Sequence, residues 1–232
     1  IDLHHSTVSG NMAEAPRSAY GGGGYGGGVL ALQTVFADYS TVSGNMARTA
    51  GGILGYRVYL YDSTVSGNQA ASDGVVGGIY AGVGKLFNCT VAGNTGGSTG
   101  VRTTAAGFFS TASSILQNTI VANNKTNGIE LDVDTLNHGT VGGHNNLIVA
   151  HGAGTMVPAD TISSVPLLGP LQDNGGPTRT HALLPGSPAI DAGGATGLVF
   201  DQRGAPRVIG SRADIGAVEF DPDHIFCNGF NL

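Results

Sequence analysis

One six-residue string recurs five times along this chain: Ser6-Thr-Val-Ser-Gly-Asn11, Ser40–Asn45, Ser63–Asn68, Cys89–Asn94 and the looser Asn118–Asn123. Self-similarity at a period of about 20 to 50 residues marks a repeat architecture and outranks local propensity. Gly-Gly-aliphatic or a close variant precedes each later copy. Gly52 to Asn68, Gly78 to Asn94 and Gly107 to Asn123 are each 16 residues apart, and Gly28 to Asn45 is 17. The link from each Asn to the next Gly varies instead, at 17, 7, 10 and 13 residues. A constant core with a variable link is what a solenoid produces when each turn stacks on the last and insertions leave from one corner.

The apolar residues keep fixed offsets. Val8, Val42, Val65, Val91 and Ile120 occupy the string's centre; Leu3, Ala37, Leu60, Leu86 and Ile115 precede them; Val29, Ile53, Ile79 and Phe108 follow the glycines. Such short aliphatic runs, bounded by Gly, Asn, Ser and Asp, read as strands and turns. The offset of five from Leu60 to Val65 breaks a period of two, so a bend falls at Asp62, Asn88, Gln117 and His5. Stacked rungs about 4.8 Å apart set like on like. Asn11, Asn45, Asn68, Asn94 and Asn123 then form a side-chain amide ladder that satisfies turn backbone. Gly10, Gly44, Gly67 and Gly93 suggest a special backbone angle, and Ala122 in the same place of the fifth copy implies that the angle is not obligatory. Ile129, Leu131 and Val133 alternate with Glu130, Asp132 and Asp134, predicting a further rung with its acids outward. The expected fold is all-β: a single-stranded, right-handed parallel β-helix of six to seven turns over residues 1–164. Residues 165–232 form an irregular C-terminal capping segment packed on the helix in the same structural unit, capping its end and covering a flank.

Glycine is abundant, at 40 of 232 residues, and charged residues are 11 %, which suits tight turns and a dry stacked core. With ten Lys and Arg in all, no basic patch offers itself to nucleic acid. Residues 1–128 carry a net +1 and residues 129–232 a net −7, within a total of −6. No run of 18 apolar residues provides a transmembrane helix. The chain opens partway through a repeat, which predicts a fragment or a first coil that stacks on something else. Cys89 fills a slot where other copies have Ser, and its sequence separation from Cys227 gives no sign of a disulfide.

Three C-terminal strings follow the repeats: Asp173-Asn-Gly-Gly-Pro-Thr-Arg-Thr-His-Ala-Leu-Leu-Pro-Gly-Ser-Pro-Ala-Ile-Asp-Ala-Gly193, Asp201-Gln-Arg-Gly-Ala-Pro-Arg207 and Asp214-Ile-Gly-Ala-Val-Glu219. In this order after Asn118-Thr-Ile-Val-Ala-Asn123, they closely resemble the bacterial choice-of-anchor Q proteins. The resemblance covers essentially the whole chain. It implies a secreted or surface β-helix and no settled activity. The Gly-Gly-Ile and Leu-Phe-Asn elements are also similar to polymorphic outer-membrane passenger repeats. The tail Ile225–Phe230 looks like a terminal motif of secreted proteobacterial proteins, though Asn231-Leu232 departs from the acidic ending of that motif.

Candidate sites follow from the stacking. If Val65 points inward, its neighbours point out, which makes an outward ladder of Thr7, Thr41, Thr64, Thr90 and Thr119 beside Ser9, Ser43 and Ser66. Such a flat face suits ice, a crystalline glycan or another β-helix, and equally a plain solvated strand surface. The variable links crowd one flank, where loops carry binding. Tyr56, Tyr59, Tyr61 and Tyr80, with Arg57, Lys85 and Arg102, lie in or near that flank and suit an acidic glycan. The same groups would serve a polysaccharide lyase, which needs a base and a carboxylate neutraliser. A hydrolase needs clustered carboxylates, and only Asp38 and Asp62 share a candidate row. Gly96–Gly100 matches Gly-x-Ser-x-Gly without the strand-turn-helix setting that motif requires. Arg179, Arg203, Arg207 and Arg212, interspersed with Asp191, Asp201 and Asp214, read as Arg–carboxylate forks pinning irregular chain over the last coil. The expectation is therefore an extracellular or outer-surface binding and structural module. Its partners are glycans or other subunits, including end-to-end or lateral self-association. No cofactor, metal, nucleic acid or catalytic residue is expected. A lyase is the alternative and ice binding the third reading.

Overall fold

The computed structural model describes residues 1–13, 24–71, 74–97, 105–136 and 139–223. Arg102, Cys227 and the tail motif of the sequence reading lie outside these residues. Among the described residues every regular element is a strand, and no helix is long and apolar enough to cross a membrane. The strands stack as a parallel β-helix with three faces.

The first face carries the long strands Val29–Asp38, Ile53–Tyr61 and Ile79–Phe87, in register as Val29↔Ile53↔Ile79↔Phe108. These strands run continuously from the glycines to the bend, longer than the short runs expected. The extra residue of the second unit is absorbed as a bulge between Ala31 and Thr34. The second face is the Thr-Val-Ser string itself, Thr7–Ser9, Thr41–Ser43, Thr64–Ser66 and Thr90–Ala92, continued by Ile120–Ala122 and Leu147–Ile148. The third is narrow, with two-residue strands such as Met46–Ala47 and Gln69–Ala70. Among the described residues the β-helix makes about four turns, fewer than the six to seven expected. After Lys125–Thr126 the third face turns back on itself as an antiparallel pair with Ile129–Glu130. Beyond this, isolated bridges such as Leu147↔Ile162 carry the stack on.

The register corrects the fifth unit by one residue. Val91 lies on Val121 and Leu86 on Leu116, so the aligned string is Thr119–Asn124 and not Asn118–Asn123. Asn123 sits in the glycine position and adopts its left-handed angle, φ 60° beside 62–67° for Gly10, Gly44, Gly67 and Gly93. That angle is therefore kept throughout, and Asn is the side chain that best tolerates it. Asn118, not Gln117, is the fifth member of the positive-φ bend row His5, Tyr39, Asp62 and Asn88. Asp38 pairs with Tyr61 and shares no row with Asp62.

Within the tube, Val35, Val58, Leu60, Leu86, Leu116, Val65, Val91 and Val121 form one continuous core. The amide ladder runs along one corner. Each Asn donates its backbone N–H and side-chain N–H to the next side-chain oxygen: Asn45 to Asn68, Asn68 to Asn94, Asn94 to Asn124, all at 2.8–3.0 Å. The chain of bonds ends on Asp132, whose Oδ1 accepts from Asn124 at 3.0 and 2.8 Å. Asp132 is thus buried and points inward, against the expectation of an outward acid. A Cβ on Gly52 would meet Gly78 O at 2.6 Å and the Asn68 amide at 3.0 Å, which explains the glycine partnered with each ladder Asn. A second ladder runs through the bend-side serines. Ser40, Ser63 and Thr119 each donate to the carbonyl two residues back, and the Cys89 thiol does the same at 3.2 Å. Thr119 belongs to this row, and Cys89 serves as its sulfur analogue; burial pushes the thiol pKa far up.

Candidate functional site: two flanks of the helix

The residues proposed for binding come together, though on strands rather than on the variable links. Tyr56, Arg57, Tyr59 and Tyr61 lie along Ile53–Tyr61, and Tyr80 and Lys85 along the adjacent Ile79–Phe87. Alternation with buried Val58, Leu60, Ala81 and Leu86 turns Tyr59, Tyr61, Tyr80 and Lys85 to the outside of the long-strand face, and a break in that alternation leaves consecutive Tyr56 and Arg57 both exposed. Register sets Lys85 beside Tyr59 and Phe87 beside Tyr61. The Lys85 Nζ lies 5.4 Å from the Tyr59 ring centre, and the Arg57 guanidinium 5.1 Å from that of Tyr56. Tyr61 and Phe87 stack at 5.3 Å and 7°, Phe36 leans on Tyr61 at 5.5 Å, and Tyr80 meets Phe109 at 5.2 Å. Aromatic pairs at this spacing are favourable in themselves and hold the rings against one another. Large apolar side chains are also open on this face: Leu32 is 89 % exposed and Tyr56 57 %, with Leu30 and Ile115 also exposed.

The Thr-Val-Ser face is the opposite case. Thr7 is exposed, but Thr41, Thr64, Thr90 and Thr119 are buried, so the expected exposed ladder is not present. A strap, residues 166–220, lies along it. Thr41 Oγ1 donates to Arg179 O at 2.6 Å, Thr64 Oγ1 to Gln202 Oε1 at 2.6 Å, and Thr90 Oγ1 accepts from Ala217 N–H at 3.0 Å. Farther along, Ile120, Ala122 and Leu147 point outward into a second core with Leu183, Ala189 and Ile215 of the strap. The strap covers this flank of the helix. Its hairpin places His181 with Nε2 2.7 Å from Ser66 Oγ and Nδ1 2.7 Å from Gly169 O. A ring N–H donated to that carbonyl leaves Nε2 to accept from the serine, and burial lowers the His181 pKa. This is the arrangement of an activated serine. Ser66 is only 4 % exposed, however, and the bond continues the line of strap anchors.

Of the expected Arg–carboxylate pairings, one is a buried hydrogen-bonded pair, Arg203 with Asp201, while Arg179 and Arg212 are exposed. Asp201 accepts from Arg203 Nε and Nη2 at 2.9 and 2.6 Å, and from the backbone N–H of Arg203, Ala205 and Glu219. Arg207, the largest fully buried side chain, donates Nη2 to Asp214 O and Gly216 O. Its remaining nitrogens lie 3.6 Å from Asp62 of the helix and 3.4 Å from Glu219 of the strap. Both Asp62 oxygens are buried without a hydrogen bond. Burial raises the Asp62 pKa to about 7 and that of Glu219 to about 8; Arg207 opposes both shifts. His181 and Gln202 were not among the sequence candidates for a site; Asp62 was read only beside Asp38, and Ser66 only as part of an exposed ladder. The signal for a covered flank is the outward Ile120 and Leu147, visible only in the corrected register. No protein-family model, curated protein or solved structure matches this chain.

Proposed function

We propose that this chain is a secreted or cell-surface binding module, non-catalytic, that engages an acidic glycan through the open long-strand face. The observation that carries the reading is the gathering of Tyr56, Arg57, Tyr59, Tyr61, Tyr80 and Lys85 on one side of two adjacent strands. A flat face suits an extended, repeating ligand: guanidinium and ammonium meet carboxylates, while ring edges and the Leu30 and Leu32 side chains meet the apolar sides of sugar rings. The resemblance to choice-of-anchor Q proteins supports the location. The Thr ladder no longer supports ice binding, because Thr41, Thr64 and Thr90 lie beneath the strap.

The test is retention on a panel of uronate polysaccharides, with the ultraviolet absorbance of unsaturated uronate followed in parallel. Retention without product supports the binding module. A rise in absorbance would replace it with a lyase acting at Lys85, Tyr59 and Arg57. Neither retention nor product, with concentration-dependent sedimentation, would assign the face to lateral pairing between copies of the chain.

A further inference from the structure

The strap is fastened over the helix by a buried charge cluster that does not balance. Among the described residues, Asp62, Asp201, Asp214 and Glu219 are buried carboxyls facing two guanidiniums, Arg203 and Arg207. Arg203 forks onto Asp201. Asp214 is held by the backbone N–H groups of Asp191 and Phe220. That leaves Arg207 between Asp62 and Glu219, one cation for two acids from opposite sides of the seam. Asp62 lies in a bend with φ 40° and both its oxygens lack a hydrogen bond. A buried carboxylate so placed costs far more than a protonated carboxyl in the same place. The groups facing this pair from the neighbouring rungs are Asp38 and Tyr39 on one side and Cys89 on the other; Asn88 eases Asp62 a little without reaching hydrogen-bond geometry.

We infer that the strap is a proton-dependent clamp: it closes over the Thr-Val-Ser face with a proton held within the Asp62–Arg207–Glu219 triad, and it loosens when that proton leaves to solvent. Opening would uncover Thr41, Thr64, Thr90 and Ser66, a second flat face made of hydroxyls. The upward displacement of both acids, about 7 for Asp62 and about 8 for Glu219, places the change just above neutrality. The sign follows from linkage: the closed state binds more protons than the open one, so closure is complete at acid pH and weakens as pH rises through 7 to 8.

Hydrogen exchange of the full chain, corrected for the intrinsic rate at each pH, tests this. Protection at Ile215, Gln202 and Glu219 is expected to fall about tenfold or more between pH 6 and pH 9, the effect of one unit of pKa coupling. Amides of the ladder, such as Asn68, should keep theirs. Asp62→Asn, an uncharged near-isostere, should hold strap protection at its acid level throughout. A carbon-13 carboxyl titration of the unaltered protein gives an independent reading. The clamp is overturned if Asp62 and Glu219 are both ionised by pH 5, if strap and ladder lose protection together, or if Asp62→Asn shows the wild-type fall.

Discussion

The long-strand face and the Thr-Val-Ser face are copied by the same repeat, yet among the described residues one is bare and the other is covered. On the bare face, outward positions carry Tyr, Phe, Arg and Lys, and their neighbours are other rungs. On the covered face, outward positions begin as Thr and end as Ile120 and Leu147, and their neighbours come from a segment with no repeat at all. A repeat therefore specifies the direction in which a side chain points, while the non-repeating remainder of the chain decides what that side chain meets.

The widest gap between the flanks is expected in apolar truncations. Ile215→Ala opens the second core and should cost about 2–5 kcal/mol, whereas Leu32→Ala on the bare face should stay within about 0.5 kcal/mol. Equal costs in denaturant unfolding would break the comparison. Within one row, Thr64→Val strands the buried Gln202 amide oxygen and should cost about 1–3 kcal/mol, against almost nothing for Thr7→Val on the exposed first rung. On the bare face, Arg57→Ala and Lys85→Ala should leave the unfolding midpoint nearly unchanged. Each should weaken retention on an acidic polysaccharide by roughly fivefold, the effect of about 1 kcal/mol for an exposed charge contact. Stability lost without retention lost would shift those residues from binding to structure. The smallest effect concerns the ladder beneath both faces. Burial raises the Asp132 pKa to about 7. The folded state then holds a proton that the unfolded state has released, so this contribution is full at acid pH and lost as pH rises through about 7. Melting temperatures from pH 5 to pH 8.5 should show a decline at Asp132 that Asp132→Asn removes.

The β-helix, its Val and Leu rows and the amide ladder were legible because a stacked repeat must keep inward residues and turn angles constant. The fifth unit was misread for a physical reason. Asn serves both as ladder member and as the best non-glycine residue for a left-handed angle, so Asn123-Asn124 stands in for Gly-Asn and matching by letter chose the wrong one. In the letter register Ile120 falls inside; in the observed one it faces the strap, so which flank is covered follows only from the structure. The Tyr-Arg-Lys group was legible as a set, but as loops; the strands run longer than the repeat string suggests, because stacking extends them through Gly55 and Gly84. Nothing in the spacing of Asp62 and Arg207, 145 positions apart, could announce their contact.

The last partner in the amide ladder has a consequence for length. From Asn45 on, each Asn both receives and passes on a hydrogen bond, so the row has a direction, from Asn11 toward Asn124. Asp132 receives three N–H groups, two from Asn124 and one from Ala150, and has no amide hydrogen to pass on. A rung duplicated upstream of it would extend the row without disturbing its end, whereas one added downstream would find no donor to continue from. A single exchange of nitrogen for oxygen thus acts as a terminator, and growth of this solenoid by duplication is open in one direction only.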